Sequence, residues 1–209
     1  MPRARSPRRP LKAVRRPRQQ RSQATVEALL EATARILERD GLRGLTTNHV
    51  AALAGVSIGS LYEYFDSKDA LVQAWCEHHV ANARALVDAL FDGLAGTPMT
   101  DALEPFLDAL LAMNLERPRL KRVLLEQIPT RLGAHPLSEI DDHIASRWLS
   151  LLRAERPGLD EKSVSMRLYA LVRMGRAATT SWFVEGRPIE RLPELKQALR
   201  DIIVASLPS

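Results

Sequence analysis

From Ser22 onward, apolar side chains recur at steps of three and four residues, and this spacing limits what the chain can become more than any other feature. Val26, Leu29, Leu30, Thr33, Ile36 and Leu37 fall on one side of a helix with 3.6 residues per turn. A half-buried strand would alternate at every second residue, and β-branched or aromatic runs in that pattern are missing. Leucine and alanine dominate, and only ten glycines interrupt the 209 residues. The spacing predicts an all-α chain of about nine helices. The first runs from Ser22 to Arg39 and is stopped by Gly41 and Gly44, since a glycine ends a helix at little steric cost. Later boundaries fall at Gly96-Thr97-Pro98, Pro118, Pro129, Gly133 to Pro136, Pro157-Gly158 and Gly186 to Pro193.

Several function classes drop out. No apolar run approaches the roughly 18 residues of a membrane span, and no apolar h-region opens the chain. The single cysteine, Cys76, leaves no intramolecular disulfide, and no cysteine–histidine set has zinc spacing. The five histidines lack metalloprotease spacing, and nucleophile-elbow, P-loop and dinucleotide glycine motifs do not occur. The expectation is a soluble cytoplasmic protein that is not an enzyme and carries no metal or cofactor.

Charge divides the chain. Nine of its thirty basic side chains lie in residues 1–21 (Arg3, Arg5, Arg8, Arg9, Lys12, Arg15, Arg16, Arg18, Arg21), where there is no Asp or Glu. The remainder holds 21 basic against 25 acidic groups and is mildly acidic. With Pro2, Pro7, Pro10 and Pro17 and few apolar side chains, residues 1–21 cannot bury enough surface to offset the entropy of ordering. They read as a disordered basic arm, with Arg15, Arg16, Arg18 and Arg21 as candidate DNA contacts. A passive solubilising extension is the other reading.

The stretch from Gly44 to Leu71 is the most specific. Thr46 can cap a helix beginning at Thr47, on which Val50, Ala51 and Ala54 share a face small enough for a second helix to cross closely. Gly55-Val56-Ser57 is a turn, with a glycine suited to left-handed backbone and a serine suited to capping. A helix from Ile58 to Phe65 follows, with Leu61 and Phe65 facing inward. Two short helices joined this way form a helix-turn-helix, whose second helix can enter the major groove of DNA.

The residues themselves, Thr46-Thr47, Val50-Ala51, Ala54-Gly55-Val56-Ser57, Gly59-Ser60, Leu61-Tyr62, Tyr64-Phe65, Ser67-Lys68 and Leu71, resemble the DNA-binding signature of the TetR (tetracycline repressor) family of bacterial regulators. The resemblance covers about 27 residues and extends to roughly 50 with the first helix. It implies a basic arm at 1–21, a DNA-binding domain at 22–68 and a helical effector-binding and dimerisation domain at 69–209. It also implies a homodimer on a double-stranded, palindromic operator, and repression relieved by an unknown small-molecule effector. The runner-up is the same fold used as a protein-binding adaptor or ligand-independent regulator. By resemblance, Thr47 and Tyr64 meet phosphates, as does Lys68 together with the amides that open its helix. Ser57, Ile58, Gly59, Ser60 and Tyr62 form the exposed start of the recognition helix. Asn48 reaches a base, where an amide can pair with adenine. Ile58 and Gly59 offer only apolar contact, and Glu63 should point away from the duplex.

The helices beyond Ser67 read as core or, by resemblance, as the lining of an effector cavity. Candidate pocket residues are Phe106, Leu110, Gln127, Trp148, Tyr169, Arg173 and Arg176. Arg173 and Arg176 should have acidic partners, with Glu126 and Glu155 as candidates, because an unpaired buried guanidinium is costly. The long helix from about Asp160 to Val184 carries Val164, Leu168, Leu171, Gly175, Ala178 and Trp182 in one stripe, and Met166, Ala170, Met174 and Ala177 on its flank. A helix apolar on two sides must be covered on two sides. The stripe, with Leu199, Ile202 and Ile203 of the last helix, is the expected dimer interface.

Overall fold

The computed structural model describes residues 20–129 and 136–206, and its described residues hold helices and no strand. Nine α-helices follow one another: α1 (Gln20–Gly44), α2 (Thr47–Ala54), α3 (Ile58–Tyr64), α4 (Lys68–Gly93), α5 (Met99–Glu116), α6 (Pro118–Arg122), α7 (Pro136–Glu155), α8 (Glu161–Val184) and α9 (Leu192–Ser206). α6 continues into a π-helical turn, Val123–Gln127, and a 3-10 turn, Ile189–Arg191, precedes α9. Residues 1–19, with the arm candidates Arg15, Arg16 and Arg18, lie outside the described residues, as does the side chain of Arg21. No described helix is long and apolar enough to cross a membrane.

The chain divides after Cys76 into two compact units that share α4. In the first, Leu29, Ile36, Leu37, Leu45, Leu61, Phe65 and Leu71 are sealed from solvent. Each such side chain contributes about 1.5–3 kcal/mol, enough for three short helices and the start of α4 to hold together. α1 runs five residues past the expected Arg39, with its break inside it: Gly41 adopts φ 67°, ψ −171°. The chain then turns back tightly enough that a β-carbon on Gly44 would lie 2.3 Å from that of Asp40, so only glycine fits there.

The second unit is built on one apolar cluster. Val80, Ala83, Val87 and Phe91 of α4 meet Leu103, Phe106 and Leu107 of α5 and Ile140, Ile144, Trp148 and Leu152 of α7; Val164 and Leu168 of α8 and Leu199 of α9 complete it. Phe91 and Phe106 both stand edge-on to Trp148, with ring centroids 5.0 and 5.1 Å away. Polar ties run between helices around this core. His143 Nε2 lies 2.8 Å from Asp88 Oδ1, Arg147 bonds Asp92, and Lys196 reaches Glu104 at 2.8 Å and Asp108 at 2.6 Å. Arg122 donates to the carbonyl of Val184 at 2.7 Å, pinning α6 on the end of α8.

Candidate nucleic-acid interface

The two short helices of the first unit are defined by their ends. Thr46 takes extended backbone, and its hydroxyl accepts from the amide of His49 at 3.1 Å. Ser57 caps α3 the same way, accepting from the Ser60 amide at 3.0 Å. Each cap is worth about 1 kcal/mol, a large share for helices of eight and seven residues. Between them Gly55 closes α2 in the left-handed region, at φ 70°, ψ 27°. Val50, Ala51 and Leu61 are buried where the helices cross, while Ala54 is only half-buried.

This packing leaves one side of the pair open. Asn48, Ser57, Ile58, Gly59 and Tyr62 are exposed at the starts of α2 and α3, with Thr47 and Ser60 half-buried beside them. Tyr62 is 52% exposed, and its hydroxyl lies 3.2 Å from the Thr47 hydroxyl, so the two helices offer a shared pair of hydroxyls to whatever approaches. Glu63 is exposed as well. Leu53 is an exposed apolar residue that periodicity misses, because its three-residue step from Val50 reads as burial.

Tyr64 and Lys68 stand apart from this face. Both are half-buried and bonded within the chain. The Tyr64 hydroxyl donates to Ser22 Oγ at 3.0 Å, fastening α3 to the start of α1. The Lys68 ammonium donates to the Leu42 carbonyl at 2.6 Å, just after the break at Gly41. Both bonds join residues more than twenty positions apart, and neither Ser22 nor Leu42 carries a local signal of its role. Near the same break, Arg39 binds Asp40 and comes within 3.1 Å of His49 Nε2. The hydrogen bond from Arg39 holds the Asp40 carboxyl below its ordinary range.

In the second unit the candidate pocket residues do not form one group. Phe106 and Trp148 belong to the aromatic core, with Leu110 packed against it. Gln127 is half-buried on the π-helical turn. Tyr169 is exposed, with the Arg173 guanidinium 3.9 Å above its ring. The acidic partners differ from those expected. Arg173 bonds Asp142 at 3.0 Å, and Arg176 Nε bonds both carboxylate oxygens of Asp141 at 2.8 and 2.9 Å; Glu155 instead accepts from the Met99 amide. Asp141 is 1% exposed, and burial pushes its carboxyl upward against the pull of Arg176. Arg173 Nη1 is enclosed without an acceptor among the described residues.

The expected dimer interface needs correction. Val164, Leu168 and Leu199 lie in the core of their own chain, and Leu171 and Gly175 are buried on the same side. Ala178 and Ile203 pack against that core, and Trp182 is half-buried, its indole donating to the Pro188 carbonyl at 3.2 Å. Ile202 alone of the nine is exposed. The flank is what remains open: Met166 is 68% and Met174 55% exposed, with Ala170 and Ala177 between them. Two stripes were legible, and the deeper one is satisfied within the chain.

Residues 29–75 match the family model described as bacterial regulatory proteins, tetR family. An uncharacterized HTH-type transcriptional regulator of Bacillus subtilis (strain 168), YerO, is 26% identical over 83 residues. That alignment spans 40% of this chain and 29% of the relative's length. Among solved structures, one described as a TetR-family transcriptional regulator from Mesorhizobium loti MAFF303099 is similar over 90% of this chain and 98% of its own, at 16% identity and a TM-score of 0.71. Another, described as the molecular basis for control of antibiotic production by bacterial hormones, covers 88% of this chain and 98% of its own, at 22% identity and a TM-score of 0.67.

Proposed function

We propose, for a chain whose helix-turn-helix domain belongs to the tetR family of bacterial regulatory proteins, that two copies occupy a palindromic operator, repress transcription there, and leave when a small molecule enters the second unit. The observation that carries this reading is the open side of α2 and α3, where both capped helix starts present Thr47, Asn48, Ser57, Ile58, Gly59 and Tyr62 together. A helix held by its own cap enters a major groove without further ordering. On that face the Asn48 amide is the adenine reader, Ile58 meets a thymine methyl, and the Thr47–Tyr62 hydroxyl pair holds a phosphate. Lys68 and Tyr64 set the positions of the helices first, and each meets a phosphate only by exchanging its internal bond.

Dimerisation follows from the exposed flank of α8, Met166, Ala170, Met174 and Ala177, together with Ile202 of α9. A twofold pair would place two recognition helices against half-sites about 34–36 Å apart. The basic arm would add phosphate contacts, each raising the salt slope of binding by about 0.9. Response to a small molecule is supported by likeness to the hormone-controlled structure and by the irregular helix turns of the second unit.

Fluorescence anisotropy on a fragment from upstream of the chain's own gene tests the reading. Asn48→Ala should cost about 1–3 kcal/mol at one base pair and leave other sequences unchanged. Tyr64→Phe should weaken all duplexes alike. Equal affinity of the native chain for this fragment and for unrelated duplexes would overturn the proposal.

A further inference from the structure

We infer that the inward side of α8 at Gly175 is a chamber for an uncharged, apolar small molecule. Its consequence for DNA rests on the effector reading above; the chamber itself does not.

Gly175 is buried midway along α8, in line with the core residues Val164, Leu168 and Leu171. Glycine is a poor choice there, since alanine costs a helix less. Nothing in the chain requires it: its φ is not positive, and a β-carbon would meet no heavy atom within 4 Å. Gly44 shows the contrast, because there a β-carbon would collide with Asp40. Protein interiors are otherwise packed as densely as organic crystals, and an unfilled gap forfeits dispersion contacts. A buried glycine facing open space therefore has two costs that the fold does not explain, and a guest occupying the space accounts for both.

The lining sets the chemical class. One turn earlier stands Leu171. One turn later Thr179, fully buried, donates its hydroxyl to the Gly175 and Arg176 carbonyls at 2.9 and 3.0 Å, which leaves its methyl for the space. Arg176 is held on Asp141. The enclosed Nη1 of Arg173 would suit an anion, but at 100° per residue Arg173 leaves the helix about 200° away from Gly175, so one ligand does not meet both. A gap lined by alkyl groups stays dry and takes apolar guests. The neighbouring segment supports the same place: α6, pinned to α8 through Arg122, passes directly into the π-helical turn with Val123 and Leu124 buried. Such turns are rare and concentrate at functional sites.

The test uses the full chain. Dissolved xenon should shift the methyl resonances of Leu171 and Thr179, and Gly175→Leu should abolish those shifts. Gly175→Ala should fold and raise Tm by about 2–4 °C, which keeps the test valid if the leucine variant fails to fold. Toluene should raise the Tm of the native chain and benzoate should not. Xenon shifts absent from these methyls, or unchanged in Gly175→Leu, would overturn the chamber, as would stabilisation by benzoate in place of toluene. If toluene occupies the site, operator affinity should fall by about 5–150-fold. Occupancy without that fall leaves the chamber standing and refutes the effector reading alone.

Discussion

The α2–α3 pair and α8 are both amphipathic, yet they yielded to sequence reasoning very differently. In the pair, each key residue acts on a neighbour within three positions: Thr46 on His49, Ser57 on Ser60, Gly55 on its own backbone. Such roles are encoded locally, so the exposed face could be named residue by residue. α8 is 24 residues long, and what matters about it is which of its faces meets which neighbour. Periodicity reports that a stripe is buried without reporting what buries it.

The largest effect that could break this contrast lies on the open flank of α8. Met174→Arg should leave the fold intact, since Met174 is 55% exposed, and should give monomers in light scattering. Losing the second recognition helix should then weaken operator binding by about 10²–10⁴-fold. The same substitution at Leu168 should instead prevent folding, because that side chain is in the core. A dimeric Met174→Arg variant would show that α8 keeps no face for a second copy.

The all-α class, the cap residues, the turn at Gly55 and the inward Leu61 and Phe65 were legible because backbone geometry and capping are short-range. Helix ends were legible to within a few residues, with α1 the exception, because Gly41 interrupts a helix that resumes. Ser22 under Tyr64, the Leu42 carbonyl under Lys68, and Asp141 and Asp142 under Arg176 and Arg173 were not legible. Those partners are 26 to 42 positions away, and charge alone nominated Glu126 and Glu155 equally well.

Next in size is the pair that this ambiguity concealed. Arg176→Leu leaves the Asp141 carboxylate buried and alone, which should cost about 3–5 kcal/mol in urea unfolding. Replacing both partners with leucine should recover most of that loss, since the penalty belongs to the orphaned charge rather than to a missing attraction. The exposed pair Arg35–Glu31 supplies the comparison: Arg35→Ala should cost less than about 0.5 kcal/mol. Similar costs at the two sites would mean that Asp141 finds water when Arg176 is removed.

The smallest expected effect concerns acid, and it separates the two units again. His79, half-buried on the part of α4 that belongs to the second unit, has its imidazole held below the ordinary range, first by burial and then by the positive neighbours Lys121, His78 and Arg117. The folded chain therefore keeps this ring neutral at a pH where the unfolded chain has begun to protonate it. Above about pH 6.5 neither state carries the proton and stability does not depend on it. As pH falls from there toward the lowered folded value, the unfolded state binds more protons, and stability declines by at most about 1.4 kcal/mol per pH unit. Partial exposure keeps the slope well below that ceiling. His79→Gln should flatten the decline of Tm between about pH 6.5 and pH 5 while leaving Tm above pH 7 nearly unchanged, as read by circular dichroism. If the decline persists in the variant, the acid-sensitive group lies elsewhere, and the cationic surroundings of His79 have no bearing on the stability of the second unit.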